Sequence, residues 1–331
     1  MTQAMAFTRR GALLLAAGGA AAVPAVARAQ DRYPDRPITV VVPWAPGGST
    51  DILARAVAEP LGRSLGQPVA VENRSGASGN VGSAAVARAR PDGHTLLFGS
   101  MSTHAMNGAL FRDMPFHGAE DFTAISLLAF VLNTMVVHPA VPADTVAGFI
   151  AHAKANPGKI AYASAGAGST NHLCAAMFAR MAGLDMVHVP YRGGVPAVLD
   201  TVAGRTQLLF SAGTQTLPHV REGRLRLLGV TEGRRSRLLP DAPTVAETVP
   251  GFEMAVWYGA LGPKGMPRDL VARLNAEINR ALALPEVRGR MAEIGVEVLN
   301  ETPEAFAAAL TADAEKWGRA IRDLGITMSD A

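Results

Sequence analysis

Two glycine-containing loops carry the residues best suited to chemistry. The first, Pro43-Trp44-Ala45-Pro46-Gly47-Gly48-Ser49-Thr50-Asp51, joins an apolar run to a helical pattern. Gly47 and Gly48 let the backbone turn without Cβ clashes and present successive N–H groups. The helix start that follows adds unsatisfied donors and the positive end of the helix dipole. Together these suit a small anion such as a carboxylate. The competing reading is an ordinary capped turn, with Ser49 as N-cap and Asp51 in the first turn. Either way Asp51 is expected to serve the helix start, because a carboxylate repels an anion. The second loop, Ser164-Ala165-Gly166-Ala167-Gly168-Ser169-Thr170-Asn171-His172, has the same character. Its Gly166-x-Gly168 is not a dinucleotide fingerprint, since Asn171 occupies the third glycine position and no acid is placed for a ribose. Two anion cradles, one per lobe, can hold one ligand between them.

Signatures of catalysis are missing. There is no G-x-S-x-G elbow and no phosphate-binding G-x-x-x-x-G-K-[ST] loop. The histidines at 94, 104, 117, 138, 152, 172, 188 and 219 form no HExxH pattern, and a single cysteine argues against a zinc site. A hydrolase built on Ser169 and His172 would lack an acid to orient the histidine. Cys174 lies in an apolar helical stretch and reads as a small buried side chain. No catalytic residue, metal or cofactor is expected. His104 and His172 stand out only for their places near presumed strand ends. Arginine (27) far outnumbers lysine (4), but the cations are scattered rather than striped, which argues against nucleic acid.

The elements that position these loops alternate between strand and helix. Ile38 to Val42 is a continuous β-branched run of the kind buried on both faces of a sheet. Leu53, Val57, Leu61 and Leu65 then recur at helical spacing, with Pro60 expected to kink the helix. Further strands are expected at Val69 to Val71, Thr95 to Phe98, Ile160 to Tyr162, Val187 to Tyr191, Gln207 to Phe210 and Leu225 to Val230. Helices are expected from Thr145 to Ala155 and from Pro267 and Thr302-Pro303 onward. Such alternation implies an α/β fold with parallel sheets flanked by helices. With 331 residues and no linker, two lobes joined by more than one crossing are expected, at Thr123 to Val137 and Phe252 to Leu261.

The chain is 49% hydrophobic and only 18% charged, which excludes disorder. Its formal net charge of +3 equals the contribution of Arg9, Arg10 and Arg28 in the first 29 residues. There Arg9-Arg10 precede a 13-residue apolar run, Gly11 to Val23, and Ala27-Arg28-Ala29 ends the segment. This is the pattern of a cleavable signal peptide with cleavage after Ala29, and Thr8-Arg9-Arg10 is compatible with twin-arginine export. A periplasmic location and a formally neutral mature protein follow as expectations.

In combination, the motifs resemble those of the periplasmic receptors of tripartite tricarboxylate transporters, often called Bug receptors. The resemblance rests on Pro46-Gly47-Gly48 with Asp51 and Arg55, Leu65-Gly66-Gln67, Val71-Glu72-Asn73-Arg74 and Pro91-Asp92-Gly93. It continues through Gly168-Ser169 with His172-Leu173, Val189-Pro190-Tyr191, Leu239-Pro240-Asp241-Ala242-Pro243-Thr244 and Trp257-Tyr258-Gly259. It implies a two-lobed type II periplasmic-binding fold, each lobe a mostly parallel sheet flanked by helices. Lobe 1 would comprise residues 30–130 and 256–331, and lobe 2 residues 131–255. It implies a receptor that captures a small organic carboxylate and delivers it to the permease subunits of such a transporter, or else reports to a sensor protein. A monomer is expected. By the same analogy Trp44 walls the cleft, Gly47, Gly48 and Ser49 cradle a carboxylate from lobe 1, and Gly168, Ser169, Thr170 and His172 do so from lobe 2. Ser100, His104, Tyr191, Phe210 and Ser211 are candidates for the distal pocket. Ala176, Gln207 and Ser211 stand where many relatives carry acids, which disfavours an amino-acid ligand.

Overall fold

A computed structural model describes residues 33–323 and Gly325; the segment 1–29 expected to be a signal peptide lies outside them. The first sheet contains β1 (Ile38–Val42), β2 (Val69–Asn73), β3 (Thr95–Ser100), β4 (Phe122–Val131), β10 (Val256–Pro263) and β11 (Val296–Val298), in the order β11-β4-β10-β3-β1-β2. The second contains β5 (Asn133–Val137), β6 (Ile160–Ser164), β7 (Met186–Pro190), β8 (Leu208–Ala212) and β9 (Arg226–Val230), in the order β7-β6-β8-β5-β9. Each sheet with its helices forms one lobe.

The sheets are mixed rather than mostly parallel. Parallel pairing is confined to β2-β1-β3 and β7-β6-β8. The strands by which the chain passes between lobes, β4, β5 and β10, run antiparallel to their neighbours. An apolar run encodes burial but not direction, and a chain that leaves a sheet and re-enters it from the other lobe arrives reversed.

In β1, Ile38, Val40 and Val42 join the core beneath α1 (Ser49–Leu65), while Val41 faces the opposite core. This double burial is why the run is β-branched throughout, with the half-buried Thr39 its one polar residue. Helix α1 continues through Pro60, its Leu53, Val57, Leu61 and Leu65 all buried. The later helices are α2 (Asn80–Ala87), α3 (Asn107–Leu110), α4 (Val146–Ala155), α5 (Thr170–Ala182), α6 (Gly194–Val202), α7 (Gly213–Arg221), α8 (Arg268–Ala283), α9 (Pro285–Glu293) and α10 (Pro303–Asp323). Helix α10 clasps the crossing strand β10. A Cβ on Gly259 would lie 2.1 Å from the Phe306 ring, and the Trp257 indole N–H donates to Asp313 (2.6 Å). Among the described residues no helix is long and apolar enough to span a membrane.

The two crossings are sewn together where they meet. Thr231 N–H donates to the Asn133 carbonyl (2.9 Å), and Met254 N–H to the Thr231 carbonyl (2.8 Å). The Asn133 amide also donates to the Thr231 hydroxyl, which itself donates to the Met254 carbonyl. Glu232 completes the junction, one carboxylate oxygen accepting Asn133 N–H (3.1 Å) while the other is buried with no partner among the described residues. Burial pushes its carboxyl up to about 7, against the opposing backbone hydrogen bonds. A carboxyl that is harder to ionise when folded costs stability as pH rises from the unfolded value through the folded one. Glu232→Gln keeps the acceptor for Asn133 and removes that cost. Urea denaturation is therefore expected to show the variant more stable by about 1–3 kcal/mol at pH 8 and unchanged near pH 4.5.

Candidate functional site

The first loop is tied down by a side chain from the helix it introduces. The buried Asp51 carboxylate accepts the Gly47 N–H (3.0 Å), the Arg55 guanidinium (3.0 and 3.1 Å) and the Asn73 amide (3.0 Å). Burial alone would raise the Asp51 carboxyl, but the hydrogen bonds from Arg55, Gly47 and Asn73 outweigh it and hold the pKa below the usual carboxylate range. Asn73 also donates to the Trp44 carbonyl (3.1 Å), fixing the aromatic end of the loop. Behind Trp44, a Cβ on Gly79 would meet Thr103 at 2.5 Å and the indole at 3.3 Å, so glycine allows this close packing.

The consequence appears at the start of α1. Its N-cap is Gly48 rather than Ser49, and no side chain caps it. The Ser49 hydroxyl instead pairs with the Thr214 hydroxyl of lobe 2. The N–H donors of the first turn are thus left without a capping side chain at the wall of the cleft.

The second loop repeats the device with another side chain. Gly168 N–H donates to Nδ1 of His172 (3.3 Å), again four residues on. That bond requires Nδ1 to be unprotonated. His172 is buried and stacks on His188, with ring centroids 4.2 Å apart, and His188 stacks in turn on Tyr162. Here Ser169 does cap its helix, its hydroxyl accepting His172 N–H (3.3 Å).

The two loops face one cavity of about 70 Å³ between the lobes. Of the residues singled out from sequence, Trp44, Gly48, Ser49, Ser100, Ser169, Thr170 and Ser211 line it. The others lie elsewhere. Gly47 and Gly168 spend their N–H groups on Asp51 and His172. His172 sits behind its loop, and Phe210 packs in the core against Phe178 and Phe252. Tyr191 faces a neighbouring compartment, its hydroxyl donating to Asp200 (2.8 Å). His104 is 3% exposed, packed against Phe116 and Phe122, with Nδ1 2.6 Å from the Thr103 hydroxyl. It falls in a π-helical turn (Ser102–Met106) that continues β3 and rotates the ring into the core.

Several lining residues escaped the sequence reading. Tyr258 and Val256 come from β10, Asn133 from the start of β5, and Gln215 from α7. Tyr258 was visible only within the Trp257-Tyr258-Gly259 motif. Desolvation raises its phenol above the ordinary value, against the opposing Ser49 and Thr50 hydroxyls, so it is a donor throughout the physiological range. Ser211 donates to the Gln215 side chain (3.1 Å). Gln207 accepts Ala161 N–H (2.9 Å) within the sheet. No side chain lining this cavity is charged among the described residues. Nor does any group of three His, Cys, Asp or Glu among them suit a metal. Cys174 is buried beside Asn133, and burial raises its thiol far above the usual range, against nucleophilic use.

Two α/β lobes, two crossings and an uncharged cleft between them define a solute-binding receptor. The family model described as the tripartite tricarboxylate transporter family receptor matches residues 53–326, and the chain belongs to that family of periplasmic receptors. It is 40% identical over 297 residues to a Pseudomonas sp. (strain P51) protein from the tcbD-tcbE intergenic region, covering 88% of this chain and 87% of the other. An R. palustris protein solved with adipate superposes with a TM-score of 0.85 at 34% identity, covering 89% of this chain and 99% of that one. MatC from Rhodopseudomonas palustris, with bound malate, gives 0.83 at 32% identity over 87% of this chain and 100% of its own. The family and the fold are those of binding proteins.

His104 supplies a check on its buried position. Burial lowers its pKa to about 4, against a hydrogen bond with Ser100 that raises it. The unfolded chain therefore takes up a proton first, and stability that is complete above about pH 6.5 is lost as pH falls toward 4, by roughly 1.4 kcal/mol per unit. Chemical denaturation between pH 7 and pH 4.5 should show a shallower loss in His104→Gln than in the parent.

Proposed function

We propose that the protein is a periplasmic receptor that binds a small organic carboxylate between its lobes and delivers it to tripartite tricarboxylate-type permease subunits. Lobe 1 would span residues 30–130 and 256–331, lobe 2 residues 131–255. Export would remove residues 1–29, with cleavage after Ala29, and the mature receptor would act as a monomer. The observation that carries this reading is the uncapped start of α1 at Gly48-Ser49-Thr50, which faces a cavity whose polar side chains are hydroxyls and amides, none charged. Unsatisfied N–H donors at the positive end of a helix dipole favour an anion without a charged partner. Ser100, Ser169, Thr170, Ser211 and Tyr258 would supply further hydrogen bonds, and Trp44 would cover the ligand. The adipate and malate of the two R. palustris proteins are both dicarboxylates, which supports the same class here.

Thermal-shift screening of the mature protein against organic carboxylates tests the reading. A ligand at 100 times its Kd is expected to add about 2.7 kcal/mol. Stabilisation by sugars or cations, with none by any carboxylate, would overturn it. Gly48→Asp tests the seat itself. Gly48 has φ −74°, which any residue adopts, and a Cβ there meets nothing closer than 3.5 Å. Its carboxylate would cap α1 and occupy the anion's donors, so the melting temperature of the free protein should hold or rise slightly while carboxylate stabilisation disappears.

A further inference from the structure

Beside the inner cavity lies a second compartment of about 510 Å³, and Trp44, Ala45, Ala165 and Gly193 line both. The two spaces thus adjoin where the first loop faces the second. They differ in size and in charge. The inner space has room for about five water-sized groups, enough for a carboxylate and the carbons next to it. The outer one is walled by Trp44, Phe111 and Tyr191, with a single charged side chain, Arg192, among the described residues that line it.

Arg192 is exposed and has no hydrogen bond or ion pair among the described residues. The acid on the following helix, Asp200, is already held by the Tyr191 hydroxyl and by Arg205. Arg74, just before the turn that forms the opposite wall, is committed to Glu72. That wall, around Ser75 to Gly79, is held against lobe 2 by the Ser78 hydroxyl donating to the Ala167 carbonyl. Ala77 and Ser78 adopt left-handed φ values of 45° and 54°, a strained geometry for non-glycine residues. The outer compartment is therefore a bounded space with aromatic side chains in its walls and one uncommitted guanidinium.

Resting on the carboxylate-receptor reading, we infer that the ligand is an elongated dianion. One carboxylate sits on the neutral inner seat, an apolar spacer passes between Trp44 and Ala165, and the far anionic group meets Arg192 in the outer compartment. Arg192 thereby sets specificity for a second charge at a distance, a task the uncharged inner seat cannot perform.

The test is titration calorimetry of the full mature protein with straight-chain α,ω-dicarboxylates of four to eight carbons and monocarboxylates of matching length. Wild type is expected to prefer the longer diacids over their monoacids. Arg192→Gln should weaken the longer diacids about fivefold, the scale of a partly exposed ion pair. It should leave the monoacids and the melting temperature unchanged, and Arg192→Lys should restore most of the loss. A diacid preference that survives Arg192→Gln, or tightest binding of the four-carbon acids regardless of residue 192, overturns the inference while leaving the receptor reading intact. Failure of every acid to bind wild type overturns both.

Discussion

A glycine N–H bonded to a side chain four residues later is the interaction on which the cleft depends. In lobe 1 it joins Gly47 to Asp51, and in lobe 2 Gly168 to His172. Each bond folds a loop back on its own helix start and fixes where the next N–H groups point. In lobe 1 the arrangement goes further. Asp51 sits in the position of a favourable first-turn acid, yet its oxygens serve the loop, Arg55 and Asn73 and leave the helix start uncapped. Protein stability would be served by a side-chain cap at residue 48, worth roughly a few tenths of a kcal/mol over the glycine there. Its absence leaves that contribution for a ligand to make.

The lobes contribute unequally. Lobe 2 caps its own helix with Ser169 and backs its loop with a stack of His172, His188 and Tyr162, so it presents a rigid wall with hydroxyls. Lobe 1 presents the open donors. The lobes also touch directly, through Ser49 with Thr214 and Ser78 with Ala167. These contacts involve hydroxyl groups that water satisfies equally well when the lobes part, so they orient closure more than they drive it. A ligand bridging both loops adds contacts that exist only when the lobes are together, which is what shifts such an equilibrium.

How far the residues alone disclosed this arrangement depends on what local pattern encodes. Both loops were legible, because Gly-Gly-Ser-Thr and Gly-x-Gly-Ser-Thr each stand between an apolar run and a helical stripe. The doubly buried β1 and the long α1 and α10 were legible for the same reason. The direction of β4, β5 and β10 was not, since antiparallel return is a property of the crossing rather than of any window. The residues those strands bring, Asn133, Val256 and Tyr258, were missed as lining for that reason. His104 shows the converse. Its place near a strand end is right, but the π-helical turn after β3 rotates it into an aromatic core, and neither charge nor spacing announces that turn. Gly47, Gly168 and His172 belong to the loops expected of them, yet they shape those loops and do not line the inner cavity.

The crossing strands explain why ligand and hinge are not separate devices. Asn133 lines the cavity, donates its amide to Thr231 and gives its backbone N–H to Glu232. Val256 and Tyr258 line the same cavity from β10, the second crossing. The floor of the cleft is therefore made of the segments that join the lobes. A ligand resting on that floor would meet both lobes and the joint between them. A floor without a charged side chain suits this role. An ion pair at the same place would have to be broken or desolvated at each opening, at several kcal/mol, whereas hydroxyls and amides exchange partners with water at little net cost.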